Sequence, residues 1–302
     1  MKQTIMAYMV ATIVSFAVIG GLTMQPLSSM AQRGDQVQQG DQIQNPDNII
    51  QRQDQADGSS TSSNIRTSSD SGRSSDSRTP TTTATCGQMV EGLVELNSNL
   101  MCSGDGLIVG ADRTTIRLNG HTIMGPGPDS SKVGISIGNH DGVTIEGPGT
   151  VEQWQAAVLA SGAAGTTVTS TVLRDNQIAM FTTGTDSFHA RQNLINNNQI
   201  GVAAHTSNGL DLRENLLSGN QLAGVTLVAT GDSSVSTNNI LESQNGVFAD
   251  TQSSNNRIDS NNVLRNTVDL NNGNGLPINV NHNTYTNNNC EISKPSGLCI
   301  GR

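Results

Sequence analysis

From Thr171 onward the chain repeats one polar residue followed by apolar ones. Asn193-Leu194-Ile195, Asn215-Leu216-Leu217, Asn239-Ile240-Leu241 and Asn262-Val263-Leu264 share this pattern. Thr171-Val172-Leu173 precedes them and Asn283-Thr284-Tyr285 follows. The anchors at 171, 193, 215, 239, 262 and 283 are 22, 22, 24, 23 and 21 residues apart. A second polar position lies five residues beyond most anchors, at Asn176, Asn198, Asn220, Gln244 and Asn288. Ahead of each anchor the pattern alternates. Successive side chains of a strand point to opposite faces, so Phe188 and Ala190 point inward while His189 and Arg191 point outward. One repeat later Leu210 and Leu212 point inward, and Asp211 and Arg213 outward. A period near 22 residues, with short strands and turns between them, predicts a solenoid. A leucine-rich repeat would need an L-x-x-L-x-L frame, and β-branched residues and Asn stand there instead.

The predicted fold is all-β, a single-stranded right-handed parallel β-helix of roughly 22-residue coils. Asn193, Asn215, Asn239, Asn262 and Asn283 form the predicted structural ladder, their side-chain amides hydrogen-bonding from coil to coil. Asn also tolerates the left-handed backbone that tight corners need. Earlier rungs are expected at Leu107-Ile108-Val109, Ile116-Arg117-Leu118, Gly134-Ile135-Ser136-Ile137 and Val143-Thr144-Ile145. Turns are expected at Gly125-Pro126-Gly127 and Gly147-Pro148-Gly149, and no helix after residue 31.

Composition narrows this picture. Aromatic residues make up 2% of the 302, so the core must be built from Val, Ile, Leu and Ala. The net charge of −9 excludes a nucleic-acid partner, which needs clustered Lys and Arg. Composition also divides the chain. Residues 1–31 carry Lys2, the apolar run Thr4 to Leu22 and Ser29-Met30-Ala31. They are expected to be a secretory signal peptide or, if uncleaved, a membrane anchor. Residues 32–85 are rich in Gln, Ser and Thr and are expected to be a disordered linker. The β-helix domain is expected over 86–302. The expected location is secreted or cell-surface, with the membrane as a partner only through an uncleaved N-terminal segment. A monomer is expected.

Four cysteines fit an oxidising compartment. Cys86 and Cys102 are 16 apart, and Cys290 and Cys299 are 9 apart. Opposite ends of a β-helix are distant, so Cys86–Cys102 and Cys290–Cys299 are the expected disulfides, each contributing about 2–3 kcal/mol. Their spacing matches no zinc pattern. The five His are scattered and Met180 is isolated, so neither a metal nor another cofactor is expected. Ca²⁺ would enter only a lyase-like site.

One constellation is left for chemistry. His189 and Asp211 fall four residues before their anchors, and Arg191 and Arg213 two before. Rungs about 4.8 Å apart would join them in an outward quartet. Thr167 and Thr169 should flank it on one side, and Val235 and Thr237 on the other. Two Arg, a His and an Asp can grip a uronate carboxylate and supply a base. They can equally be solvated charges, with Asp211 relieving repulsion between stacked cations. Trp154 can stack on a sugar ring, or pack beside Val151 and Val158. His121, His205 and His282 are expected in turns or on the surface.

The stretch Cys86-Gly87, Leu100-Met101-Cys102, Leu107-Ile108-Val109-Gly110 and Ile116 to Ile123 resembles the opening of secreted prokaryotic right-handed β-helix repeat proteins. These belong to the pectate-lyase-like superfamily. The coils are similar to its PbH1 repeat, which also occurs in periplasmic copper-accessory β-helix proteins. The segment Cys290 to Cys299 is similar to their closing loop, so the resemblance covers about 86–302. It implies the fold. It leaves function open, because the superfamily holds lyases, hydrolases, epimerases and adhesins. The Asp-Asp and Arg-x-Lys of its familiar hydrolases are absent, Asn119-Gly120-His121 reverses their His-Gly, and His140-Asp141 lacks the Asp-Pro of an epimerase motif. The resulting expectation is an extracellular module that binds a polysaccharide or surface glycan. The alternatives are a lyase or epimerase acting on acidic polysaccharide, and a purely structural or adhesive rod.

Overall fold

The computed structural model describes residues 84–299. The expected signal or anchor segment, and nearly all of the expected linker, lie outside the described residues. Among the described residues there is no α-helix, and none is long and apolar enough to cross a membrane. A single 3-10 turn spans Ile278–Val280.

The chain winds through three parallel sheets, one strand to each per coil. Sheet A has ten strands, sheet B nine and sheet C eight, and neighbours in each sheet come from successive coils. One coil shows the unit: His189–Arg191 lies in sheet B, Leu194–Asn196 in sheet C and Ile200–His205 in sheet A. The corners are single residues in the left-handed region, such as Gln192 and Asn197 in this coil and Ser170, Asp175 and Glu214 in its neighbours. Each such non-glycine residue costs about 1 kcal/mol, and the hydrogen-bonding side chain beside it offsets the strain.

Those side chains form ladders. At the corner from sheet B to sheet C, Asn193 Nδ2 donates to Asn215 Oδ1 at 3.0 Å and to the Val168 carbonyl at 3.0 Å. Asn215 donates to Asn238, Asn238 to Asn261 and Asn261 to Asn288. At the corner from C to A, Asn176, Asn198 and Asn220 are linked in the same way, and Ser243 and Asn266 continue that file where Gln244 was expected. At the corner from A to B, Ser233, Asn256 and Asn283 follow one another.

The expected ladder is therefore right at Asn193 and Asn215 and displaced at its other three positions. Asn239 and Asn262 lie one residue too late. They bond to each other, Nδ2 to Oδ1 at 2.7 Å, on the outer surface of sheet C, and Asn289 joins the file. Asn283 belongs to the ladder at a different corner. The cause is coil length. Leu194 sits over Val172 and Leu216 over Leu194, but Asn239 sits over Leu216, so the step grows from 22 to 23. The buried residues Leu217 and Ile240 must stay in register, and that fixes Asn238, not Asn239, at the corner.

The core is a column of inward side chains. Val168, Ala190, Leu212, Val235 and Ile258 stack on sheet B, and Leu173, Ile195, Leu217, Ile240 and Val263 on sheet C. All are nearly inaccessible. Each buried Val, Leu or Ile contributes about 1.5–3 kcal/mol. Both expected disulfides are present, with Cα–Cα distances of 5.5 Å for Cys86–Cys102 and 5.3 Å for Cys290–Cys299. They close the first and last coils, whose cores have a neighbour on one side only.

Candidate functional site

The quartet forms on the outer face of sheet B. His189 pairs with Asp211 and Arg191 with Arg213 across adjacent strands. Inward Ala190 and Leu212 fix the outward direction of their neighbours. Asp211 is the hub. Its Oδ2 accepts from Arg191 Nη2 at 2.7 Å, and its Oδ1 accepts from Arg213 Nε. His189 Nδ1 stands 3.5 Å from Asp211 Oδ2 with no hydrogen bond of its own. The two guanidiniums cover the carboxylate, leaving Asp211 7% exposed, while they stay about half exposed. Burial pushes the Asp211 carboxyl up. Hydrogen bonds from Arg213 and Arg191, with their charges, outweigh burial and hold it below the usual carboxylate range.

The rungs on either side are hydroxyl-bearing. Thr167 and Thr169 precede the quartet as expected. On the far side the outward residues are Ser234 and Ser236, which corrects Val235 and Thr237. Val235 is fully buried in the core, and Thr237 is the left-handed corner residue. The same one-residue lengthening that moved the ladder moved this flank.

Other charges on sheet B pair more completely. Arg117 lies between Glu95 and Glu146, bonding to them at 3.2 and 2.9 Å. Asp259 accepts from Thr286, Arg257, Ser260 and Asn287. The Thr286 hydroxyl leads in holding its carboxyl below the usual range. The alternation that revealed the quartet would also have revealed these groups. The quartet differs from them in carrying two cations on one anion.

Trp154 is not a sugar platform. Its indole is fully buried, and Nε1 donates to the Ile123 carbonyl at 3.0 Å. The ring presents no face to solvent, and the alternative reading, packing, describes it. His140 Nδ1 stands 3.4 Å from Asp112 on an exposed turn. His121 and His205 lie on other faces and do not approach the quartet.

Residues 98–299 match the family described as periplasmic copper-binding protein, NosD. The chain belongs to the NosD family. That places it outside the cytoplasm. No curated protein matches it. Among solved structures, a mutant of the periplasmic alginate epimerase AlgG is similar at 10% identity and a TM-score of 0.46, over 67% of this chain and 66% of that one. DFA-IIIase from Arthrobacter chlorophenolicus A6 is similar at 16% identity and a TM-score of 0.45, over 57% and 44%. The tailspike protein 2 of bacteriophage CBA120 is similar at 12% identity and a TM-score of 0.41, over 67% and 37%. This chain thus spans less than two thirds of the length of each.

The NosD family name implies copper, whose protein ligands are imidazole, thioether and thiolate. Among the described residues no His or Cys cluster offers such a set. All four Cys are in disulfides. Met180 is sealed in the core; of the other described Met, Met89 and Met101 are exposed, and Met101 lies beside Met124 on the neighbouring rung of sheet C. Among the described residues no three His, Cys, Asp or Glu side chains converge on a point that could hold a metal ion. In the quartet the single carboxylate is already taken by two guanidiniums, whose charge would repel a cation.

Proposed function

We propose that this NosD-family protein is an extracytoplasmic carbohydrate-binding module that grips an acidic polysaccharide on the outer face of sheet B. The observation that carries this reading is the Asp211 hub. It holds Arg191 and Arg213 side by side on neighbouring rungs, with part of each guanidinium free for solvent. Two guanidiniums on one carboxylate leave a net charge of about +1 on a chain of net charge −9. A uronate carboxylate suits that site, because it can bridge both forks and neutralise the excess. Thr167, Thr169, Ser234 and Ser236 line the same face and offer hydroxyl partners to a sugar chain running along the axis.

The geometry supports binding over cleavage. A lyase or glycosidase needs a base and a separate acid or charge acceptor. Asp211 is engaged by both Arg and is unsuited to proton transfer, which leaves His189 alone. The test is calorimetric titration of the intact protein with oligogalacturonate and oligoalginate, with dextran as the neutral control. Binding to the acidic oligomers, reduced at least tenfold by Arg191→Ala or Arg213→Ala, supports the reading. Equal binding to dextran, or no change in the Arg variants, sinks it. Unsaturated product appearing in the same samples would restore the lyase reading.

A further inference from the structure

The outward side chains of sheet B form two files that run along the solenoid axis. In the file of Arg191 and Arg213, successive rungs carry Glu146, Thr169, Arg191, Arg213, Ser236 and Asp259. In the other file Arg257 stands two rungs beyond Asp211, on the same strand as Asp259. Only two side chains per rung face outward, about 6.6 Å apart. A ligand longer than that must cross the rungs, and it meets their charges in axial order.

That order is uneven. Arg117 is shared by Glu95 and Glu146, at 3.2 and 2.9 Å, so one Arg there faces two Glu and a negative charge is left in excess. A rung of hydroxyls follows, Thr167 and Thr169. The Asp211 hub then carries a positive charge in excess. A second rung of hydroxyls, Ser234 and Ser236, separates the hub from Arg257. The Asp259 carboxylate beside Arg257 is nearly covered, and Thr286, Ser260 and Asn287 also bond to it. The Arg257 guanidinium donates one Nη2–H to it at 2.9 Å and is 64% exposed. What that rung offers to solvent is a cation.

A pyranose advances a glycan by about as much as one rung, roughly 4.8 Å. A homopolymer of uronates would therefore bring a carboxylate to every rung. At Thr169 and Ser236 it would meet no cation, although a carboxylate drawn out of water needs one. At Glu146 it would meet a like charge, which is destabilising at that distance. Beyond the hub a cation recurs only at Arg257, two rungs from Arg213 and three from Arg191, about 10–14 Å away.

We infer that the outer face of sheet B is matched to an alternating heteropolysaccharide, in which each uronate is followed by a neutral sugar. One carboxylate bridges Arg191 and Arg213, the neutral ring lies over Ser234 and Ser236, and Arg257 takes the next carboxylate. The glycan extends from the hub towards Arg257 and away from Glu146. This assignment rests on the reading of the hub as an acidic-glycan site, and it adds Arg257 as a second anion site.

The test is calorimetric titration of the intact protein with two octasaccharides. Octagalacturonate carries a carboxylate on every sugar, and a hyaluronan octasaccharide carries one on every second sugar. The expected result is tighter binding of the hyaluronan oligomer, by about fivefold, despite its lower charge. Arg257→Ala should weaken hyaluronan binding about fivefold, and Glu146→Gln should strengthen octagalacturonate binding severalfold. Arg257→Gln, which can keep a bond to Asp259, replaces the Ala variant if the urea midpoint of that variant falls. Equal or tighter binding of octagalacturonate overturns the alternating pattern, and if Arg191→Ala abolishes that binding the hub itself still stands. Unchanged hyaluronan affinity in the folded Arg257 variant overturns the second anion site. Binding of neither octasaccharide overturns both this inference and the reading of the hub.

Discussion

The outer faces of sheets A and B are built on the same coils and differ in almost every physical respect. Sheet B presents Arg117, His189, Arg191, Asp211, Arg213, Arg257 and Asp259 within nine strands. Sheet A presents Leu159, Phe181, Ala203, Ile178 and Ile200 with no charge among them. The inner faces are alike, both stacked mainly from aliphatic side chains, with Met180 on sheet A and Tyr285 on sheet B. A parallel solenoid thus fixes its core by repetition and leaves the outward positions free to diverge. The charged face suits a reversible polar ligand.

Four measurements would break or sharpen this contrast. The largest effect is expected from a charge placed on sheet A. Phe181→Asp should destabilise the protein by about 3 kcal/mol or more in urea unfolding, because it buries an unpaired carboxylate. Thr169→Asp on sheet B should stay within about 0.5 kcal/mol. Similar losses at both sites would mean the faces are equivalent. Next is the hub. Asp211→Ala should cost about 2 kcal/mol, from two lost charge-assisted bonds and the repulsion left between Arg191 and Arg213, and should abolish oligogalacturonate binding. Retained binding would remove the site from sheet B.

Acid should separate the faces more gently. The Asp211 carboxyl lies below its ordinary value of about 3.9 in the folded protein, so the native state favours the ionised form. Its stabilisation is complete above that ordinary value. It is lost as pH falls through the lower, folded value. The Asp211 contribution to oligogalacturonate binding should therefore be flat from pH 7 to about 4, and stability should fall only below that. A collapse of stability already at pH 5 would point to another group. The smallest effect is salt. Raising NaCl from 0.05 to 0.5 M should weaken acidic-glycan binding severalfold, and an unchanged affinity would mean that charge does not hold the glycan.

Much of this was legible in the sequence, for identifiable reasons. The fold followed from the 22-residue period at Thr171, Asn193 and Asn215, because the shared core forces coils of similar length. The quartet followed because Phe188-His189-Ala190-Arg191 alternates cleanly, so inside and outside cannot be confused. The ladder was misplaced where the sequence offers two Asn in succession, at Asn238-Asn239 and Asn261-Asn262. The apolar run after each pair could be aligned to either Asn, and the 23-residue step between buried Leu217 and Ile240 decides between them. The outer face of sheet A was illegible for the opposite reason. Ile178-Ala179-Met180-Phe181 is apolar throughout, and a strand buried on both sides shows no alternation. Trp154 was ambiguous because an aromatic ring beside a turn suits a surface or a core equally, until it takes the corner between Glu152 and Ala156 and its Nε1 finds the Ile123 carbonyl.

The corner ladders also give the molecule a mechanical character. Each coil is fastened only to the coil on either side, through repeated side-chain and backbone bonds of nearly uniform length. Peeling one coil from the end uncovers another that resembles it. Force applied along the chain should therefore meet a train of similar resistances, each releasing about 75 Å of extended polypeptide for a coil of 22 residues. The crosslinks Cys86–Cys102 and Cys290–Cys299 act as stops at the two ends. They keep short stretches of chain out of the first and last steps until they are reduced. Optical-tweezer traces with and without reductant would show this directly, as a spool that unwinds coil by coil between two knots.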